Sequence, residues 1–141
     1  MKILVATDGS KPALRAVKFA SNLVRQLSSS STITLISVHD DAGLRHAQAF
    51  VGRRAVVGYL RELSEKELRP AQKVLDAAGI KYTTEVRTGH VAQEIVQRAK
   101  AGKFDLIVLG AKGRSAIADL LLGSVAQRVL ATADTPVLVI R

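Results

Sequence analysis

The sequence predicts a doubly wound α/β fold: a five-stranded parallel sheet, order 3-2-1-4-5, with helices on both faces. Two observations carry the prediction. Short apolar runs, several rich in β-branched residues, alternate along the chain with segments whose apolar residues recur every three or four positions. The resulting strand–helix order calls for parallel neighbours, whose right-handed crossovers lay helices on both sides of a sheet.

The elements follow in order. Lys2 to Thr7 (KILVAT) reads as a buried strand stopped by Asp8-Gly9-Ser10. Ser10 is the expected N-cap of the first helix, with Pro12 in the first turn, where its missing N–H costs little. Ala13, Val17, Ala20, Val24 and Leu27 mark the buried face of that helix, and the serine run at 28–31 ends it. Thr32 to His39 (TITLISVH) is the second strand. Residues 40–55 show no clear period and are expected to form a connection of irregular shape. Val56, Leu60 and Leu63 then open a helix. Pro70 removes a backbone donor and crowds the preceding turn, so a kink or break is expected over 66–70. Ala71, Val74 and Leu75 lead to Gly79, a C-terminal stop. Lys81 to Arg87 (KYTTEVR) is a more polar strand, expected near an edge. Ala92, Ile95 and Ala99 define the next helix, and Phe104 to Gly110 (FDLIVLG) the most apolar strand, expected at the centre. SVAQRVLATA and PVLVI (136–140) complete the chain as helix and strand.

With 141 residues and no internal repeat or linker, residues 1–141 are expected to form one domain. No apolar run is long enough to cross a bilayer, and the opening MKILVATDGS is no secretory leader, so a cytoplasmic location is expected. The lack of cysteine excludes disulfides, thiolate catalysis and cysteine metal sites. The net charge of +9 is compatible with nucleic acid, anionic membrane or phosphate ligands. Along the sequence, however, the basic residues are dispersed among acids, and two Tyr, three Phe and no Trp offer little for bases to stack upon. A solvated basic surface is the favoured reading, with neither nucleic acid nor membrane as partner.

In such sheets ligands sit beyond the carboxyl ends of the strands, where the strand order reverses. Asp8-Gly9 ends the first strand and Gly110 the fourth, so both fall at this predicted mouth. Gly110 and Gly113 bracket a turn whose backbone is free to take positive φ and approach a ligand. Gly123-Ser124 then opens the last helix, whose free N–H groups and dipole favour an anion. The plain alternative is that the glycines only form turns and Ser124 only caps the helix; the position at the sheet mouth favours a phosphate site. Neither G-x-x-x-x-G-K-[ST] nor G-x-G-x-x-G occurs, which argues against a Walker-type NTPase and an ordinary dinucleotide fold.

GAKG, nine residues, then GS resembles the G-x-x-G-x(9)-G-[ST] ATP-binding signature of the universal stress protein family. The likeness extends over the chain, through ILVATDGS, the Gly89 to Ile95 stretch, FDLIVLGAKGRS, LLLGSVAQRVL and TPVLVI. It implies a Rossmann-like domain that binds ATP, with AMP or ADP as alternatives and Mg²⁺ accompanying the nucleotide. By position it assigns Gly110, Gly113, Gly123, Ser124 and Val125 to ribose and phosphate, Ala6, Thr7 and Asp8 to the nucleoside end, and Val38 to adenine. Asp8 has a plainer role open to it, an Asx turn over Gly9. Lys112 and Arg114 are either phosphate neutralisers or solvated loop residues. Many relatives carry proline where Val91 stands, a change expected to alter only a helix start, and Pro70 is also a departure.

Nothing in the sequence announces catalysis. His39, Asp40 and Asp41 are read as a hydrated turn rather than a metal cluster, and His90 as a turn residue; His46 lies in the undefined connection. Ser10 and Ser115 have no evident base. The leading expectation is an ATP-binding stress-response regulatory protein; the rivals are a weak ATPase or phosphotransferase in the same pocket and a nucleotide-free interaction scaffold. The apolar strand 136–140, expected at a sheet edge, invites a twofold mate, and the family resemblance also implies a homodimer through it.

Overall fold

The computed structural model describes residues 1–27, 30–114, 119 and 121–141. The chain runs β1 (Lys2–Ala6), α1 (Lys11–Gln26), β2 (Thr32–His39), α2 (Asp41–Val51), α3 (Arg53–Ala77), β3 (Tyr82–Thr88), α4 (Val91–Ala101), β4 (Leu106–Gly110), α5 (Ser124–Thr132) and β5 (Val137–Ile140). The strands form one parallel sheet in the order β3-β2-β1-β4-β5. β3 lies at an edge as its polarity predicts. The middle position belongs to β1, and β4 is its interior neighbour. Among the described residues, no helix is long and apolar enough to cross a membrane.

Side-chain alternation along the strands feeds two cores. Ile3, Val5, Ile33, Leu35 and Val108 point to the layer of α1 and α3, where Ala16, Val17, Leu68 and Leu75 meet them. Leu4, Ile36, Ile107 and Leu109 point the other way, to Ile95 and Ala99 of α4 and Val129 of α5. Burial on both faces is why these strands read as unbroken apolar runs.

Two expectations for the second crossover are corrected. Residues 41–51 are helical, with Asp40 as N-cap accepting a bond from the Ala42 N–H at 2.8 Å. The helix packs on α3 rather than on the sheet, so it lacks the wide apolar stripe that betrays a core-facing helix. Gly52, at φ +83°, makes the corner into α3. That helix then runs unbroken from 53 to 77 with Pro70 inside it. Leu68, Ala71 and Leu75, on either side of the proline, are all buried in the same core. Their burial outweighs the lost hydrogen bond and keeps the helix continuous.

Between β2 and α3 lies a buried polar layer. Ser37 Oγ donates to Glu67 Oε2 at 3.0 Å. Ser64 Oγ donates to the Leu60 carbonyl, so the 2.9 Å contact from His39 runs from Nε2–H to Ser64 Oγ. The side chains of His39 and Glu67 are each 8% exposed, with 3.9 Å between Nε2 and Oε2. The remaining oxygen, Glu67 Oε1, meets Arg114 Nη1 at 3.3 Å. Gly9, at φ +78°, is wedged where these groups converge: a Cβ there would sit 3.0 Å from Arg114 Nη2 and 3.1 Å from Glu67 Cα. The layer thus ties α3 to the segment that follows β4.

Two stability measurements test this account. Pro70→Ala restores a donor and relieves the ring's clash with the preceding turn, and should raise the unfolding free energy by about 1–3 kcal/mol in urea melts; no gain would mean that the helix is already adapted to the ring. Arg114→Ala strands the buried Glu67 carboxyl and should cost about 1–3 kcal/mol. Removal of Arg61, whose 3.5 Å pair with Glu65 is exposed, should cost less than about 1 kcal/mol.

Candidate functional site

The order of the strands reverses between β1 and β4, and the cleft lies at their carboxyl ends. Strand pairing sets Val5 beside Val108 and Ala6 beside Ile36. Beyond Ala6 the chain stays attached through Thr7, whose N–H donates to the Ile36 carbonyl at 3.0 Å. Asp8 then turns the chain into α1: its Oδ1 accepts from the Ser10 N–H at 2.9 Å, and Ser10 Oγ caps the helix by accepting from Ala13 N–H at 3.3 Å.

The Asx turn foreseen for Asp8 is therefore present, but it uses one oxygen only. Oδ2 accepts from the Arg114 N–H at 3.1 Å, across the gap between β1 and β4. The main chain of the glycine segment is held from below by Asp8, and its Arg114 side chain from behind by Glu67.

Two further bonds close this segment on itself. The Ala111 N–H donates to the Ile140 carbonyl at 2.7 Å, and the Ala111 carbonyl accepts from the Gly123 N–H at 2.6 Å. Lys112 and Gly113 consequently lie against Gly123, the N-cap of α5. Ser124 is the first residue of the helix rather than its cap, and no side chain among the described residues caps this end. The α5 first turn, Ser124 to Ala126, borders the cleft with its amide groups at the positive end of the helix dipole.

Gly110 and Gly113 serve close packing, not positive φ as the sequence suggested; Gly110, Gly113 and Gly123 all avoid that region. A Cβ on Gly110 would fall 2.8 Å from the Pro12 backbone, and one on Gly113 would fall 2.8 Å from Asp8 Oδ2. On Gly123 it would touch Lys112 Cα at 3.4 Å.

The enclosed volume is about 470 Å³, ordinary for a small-molecule site. The structure brings all the sequence-selected residues to its wall: Ala6, Thr7 and Asp8 from the β1 end, Val38 from β2, Gly110 and Gly113 after β4, and Gly123, Ser124 and Val125 at α5. Lys112 and Arg114 also border it. Sequence reasoning missed the apolar side of the cleft. Ala13, Ile36, Val91, Ile95 and Leu109 line it, and their apolar character looked like ordinary core signal. Val91 does more than alter a helix start, because its side chain forms part of this wall.

The other titratable candidates lie elsewhere. His39 is a buried member of the polar layer, not part of a hydrated turn, and Asp40 is spent on capping α2. His46 stacks near Phe50 with 5.1 Å between ring centroids, and His90 occupies the N-cap position of α4. Ser115 lies outside the described residues. Among the described residues no three His, Asp or Glu side chains gather in a metal-binding group. Among the described residues that line the cleft, Asp8 is the carboxylate.

Comparison with known proteins agrees with this architecture. The sequence pattern of the universal stress protein family matches residues 1–141. Universal stress protein MJ0531 of Methanocaldococcus jannaschii is 35% identical over 141 residues, covering 99% of this chain and 81% of that protein. The solved structure of MJ0577, from the same organism, superposes with a TM-score of 0.85 at 27% identity, over 99% of this chain and 94% of the other. A universal stress protein solved in complex with cAMP is 29% identical, with a TM-score of 0.74 over 100% of this chain and 97% of its own. In sequence and in Rossmann-like topology alike, the chain belongs to the universal stress protein family.

Proposed function

We propose that the cleft binds an adenine nucleotide, ATP in the first instance, and that occupancy regulates the protein's stress-response role. The observation that carries this reading is the uncapped first turn of α5 facing a cleft whose other wall is apolar. A phosphate chain satisfies free N–H groups at a helix start, and a purine suits the surface around Val38, Ile36 and Val91. Lys112 and Arg114 supply positive charge beside the phosphate end. A relative at 29% identity holds cAMP, also an adenine nucleotide. ATP differs in carrying a triphosphate, for which the Ser124 hydroxyl and the amides of the first turn of α5 are the donors in this reading.

In this reading the main-chain donors are arranged before the ligand arrives. Asp8 and the Ala111–Gly123 bond fix the segment, so little ordering cost falls on binding. Mg²⁺ enters with the triphosphate. In this reading the role is regulatory binding; His39 is buried and is not among the residues that line the cleft.

We also propose a homodimer through β5. Val137 to Ile140 forms the sheet edge opposite β3 and is half-buried along its length, leaving one row of backbone groups for a second copy.

Calorimetric titration tests the nucleotide reading. Ser124→Ala should leave thermal stability unchanged, because Gly123 and not Ser124 is the cap. It should weaken ATP binding by about tenfold to a hundredfold, the value of one lost hydrogen bond to a charged group. Gly113→Val, which pushes against Asp8, should weaken it at least as much. ATP binding undiminished in both folded variants would remove the assignment. For the dimer, sedimentation equilibrium at micromolar concentration should return the mass of two 15.1 kDa chains; a single-chain mass would refute it.

A further inference from the structure

The charge that is dispersed in sequence is segregated in space. On the α4 side, cations are spent in pairs: Arg87 with Glu94 at 2.7 Å, Arg98 with Glu85 at 2.5 Å and Lys100 with Asp134 at 3.4 Å. On the opposite layer Arg61 pairs with Glu65 and Arg114 with Glu67, and the cations of α1 stand apart from these pairs. Along α1, Lys11, Arg15, Lys18 and Arg25 are all exposed, the helix contains no acidic residue, and none of the four has an ion-pair partner among the described residues. Their spacing sets them in one row down the solvent face. On α3, which packs beside α1, Lys66, Arg69 and Lys73 form a second exposed row, without ion-pair partners among the described residues but interspersed with the exposed acids Glu62, Glu65 and Asp76, so the α1 row carries most of the positive charge of this face.

We propose that this α1–α3 face binds the phosphate backbone of double-stranded nucleic acid without regard to sequence. The α1 row spans about 21 Å at ~1.5 Å per residue, a length over which each strand of a duplex presents a phosphate every ~3.4 Å of axis. Both rows sit on rigid helices whose inner faces are locked in the core through Ala16, Val17 and Ala20 of α1 and Leu68, Ala71 and Leu75 of α3. That anchoring excludes insertion of either helix's apolar face into a membrane, which lasting membrane attachment needs in addition to charge. Single strands are disfavoured because they are held largely by aromatic stacking, and the chain has two Tyr, three Phe and no Trp. Duplex phosphates require neither.

The test is fluorescence anisotropy of a labelled mixed-sequence DNA duplex titrated with the full chain, repeated between about 50 and 200 mM salt. Binding should weaken with salt at a log–log slope between about −3 and −6, at roughly −0.9 per phosphate engaged. Lys18→Glu and Lys73→Glu, at side chains with no partners to lose, should each reduce affinity about fivefold to tenfold near 0.1 M salt. Arg128→Glu, an equal charge change on exposed α5, should leave it within about twofold. No binding at the lowest salt overturns the proposal. So does equal weakening by Arg128→Glu, which would reduce the effect to net charge. Retention of the wild type by phosphatidylserine vesicles but not by the duplex would assign the face to a membrane and equally refute it. ATP affinity is a separate measurement, so this outcome leaves the cleft untouched.

Discussion

The carboxyl of Asp8 joins what the chain otherwise keeps apart. One oxygen turns β1 into α1, and the other holds the main chain of Arg114 across the sheet, 106 residues further along the sequence. The parallel pairing of β1 with β4 makes this possible, because it brings both carboxyl ends to the same rim. Besides that bond, the segment after Gly110 is held by the Ala111 bonds to Ile140 and Gly123 and by the Arg114–Glu67 pair. A carboxylate that accepts two backbone N–H groups is a charge-assisted clamp, stronger than neutral contacts of similar length.

The clamp is backed by a second one. Glu67 reaches from α3 through the buried layer to Arg114, so α3 and the rim segment are coupled by an ion pair with one end largely removed from water. Buried polar groups are tolerated only when each finds a partner. Here Ser37 and Arg114 serve the Glu67 oxygens, and Ser64 serves His39. Any displacement of Arg114 toward a ligand would leave Glu67 with fewer partners. The Arg114–Glu67 pair joins the rim to α3 in the folded structure.

The cleft and the basic face divide the molecule's charge between two tasks. At the cleft, attraction for an anion rests mainly on oriented backbone amides, which carry no net charge and need no side-chain ordering. On the α1–α3 face it rests on long flexible cations in free solvent, whose pull is broad and strongly screened by salt. The first arrangement suits a small ligand in a defined pose; the second suits an extended polyanion.

Much of this was legible in the sequence. The positions of most elements follow from apolar periodicity and the glycines of the rim from their spacing, which are local properties of the chain; the strand order rests on the fold class, and the places of Ala6, Thr7, Val38 and Val125 on the family resemblance. Local signals also misled. Pro70 predicts a kinked or broken helix, yet the helix runs on through it, with Leu68, Ala71 and Leu75 buried on either side; residues 41–51 lack a stripe because they pack on a helix rather than on the sheet. His39 looked hydrated and is buried. Ser124, for which a capping role was the plain alternative, is the first residue of its helix, and Gly123 holds the cap position. What only the tertiary structure decided are the pairings between distant residues: Asp8 with Arg114, Glu67 with Ser37 and Arg114, and the separation of paired from unpaired cations. Such contacts depend on which elements become neighbours and which way each side chain faces, and no spacing along a chain encodes a meeting between residues brought together by folding.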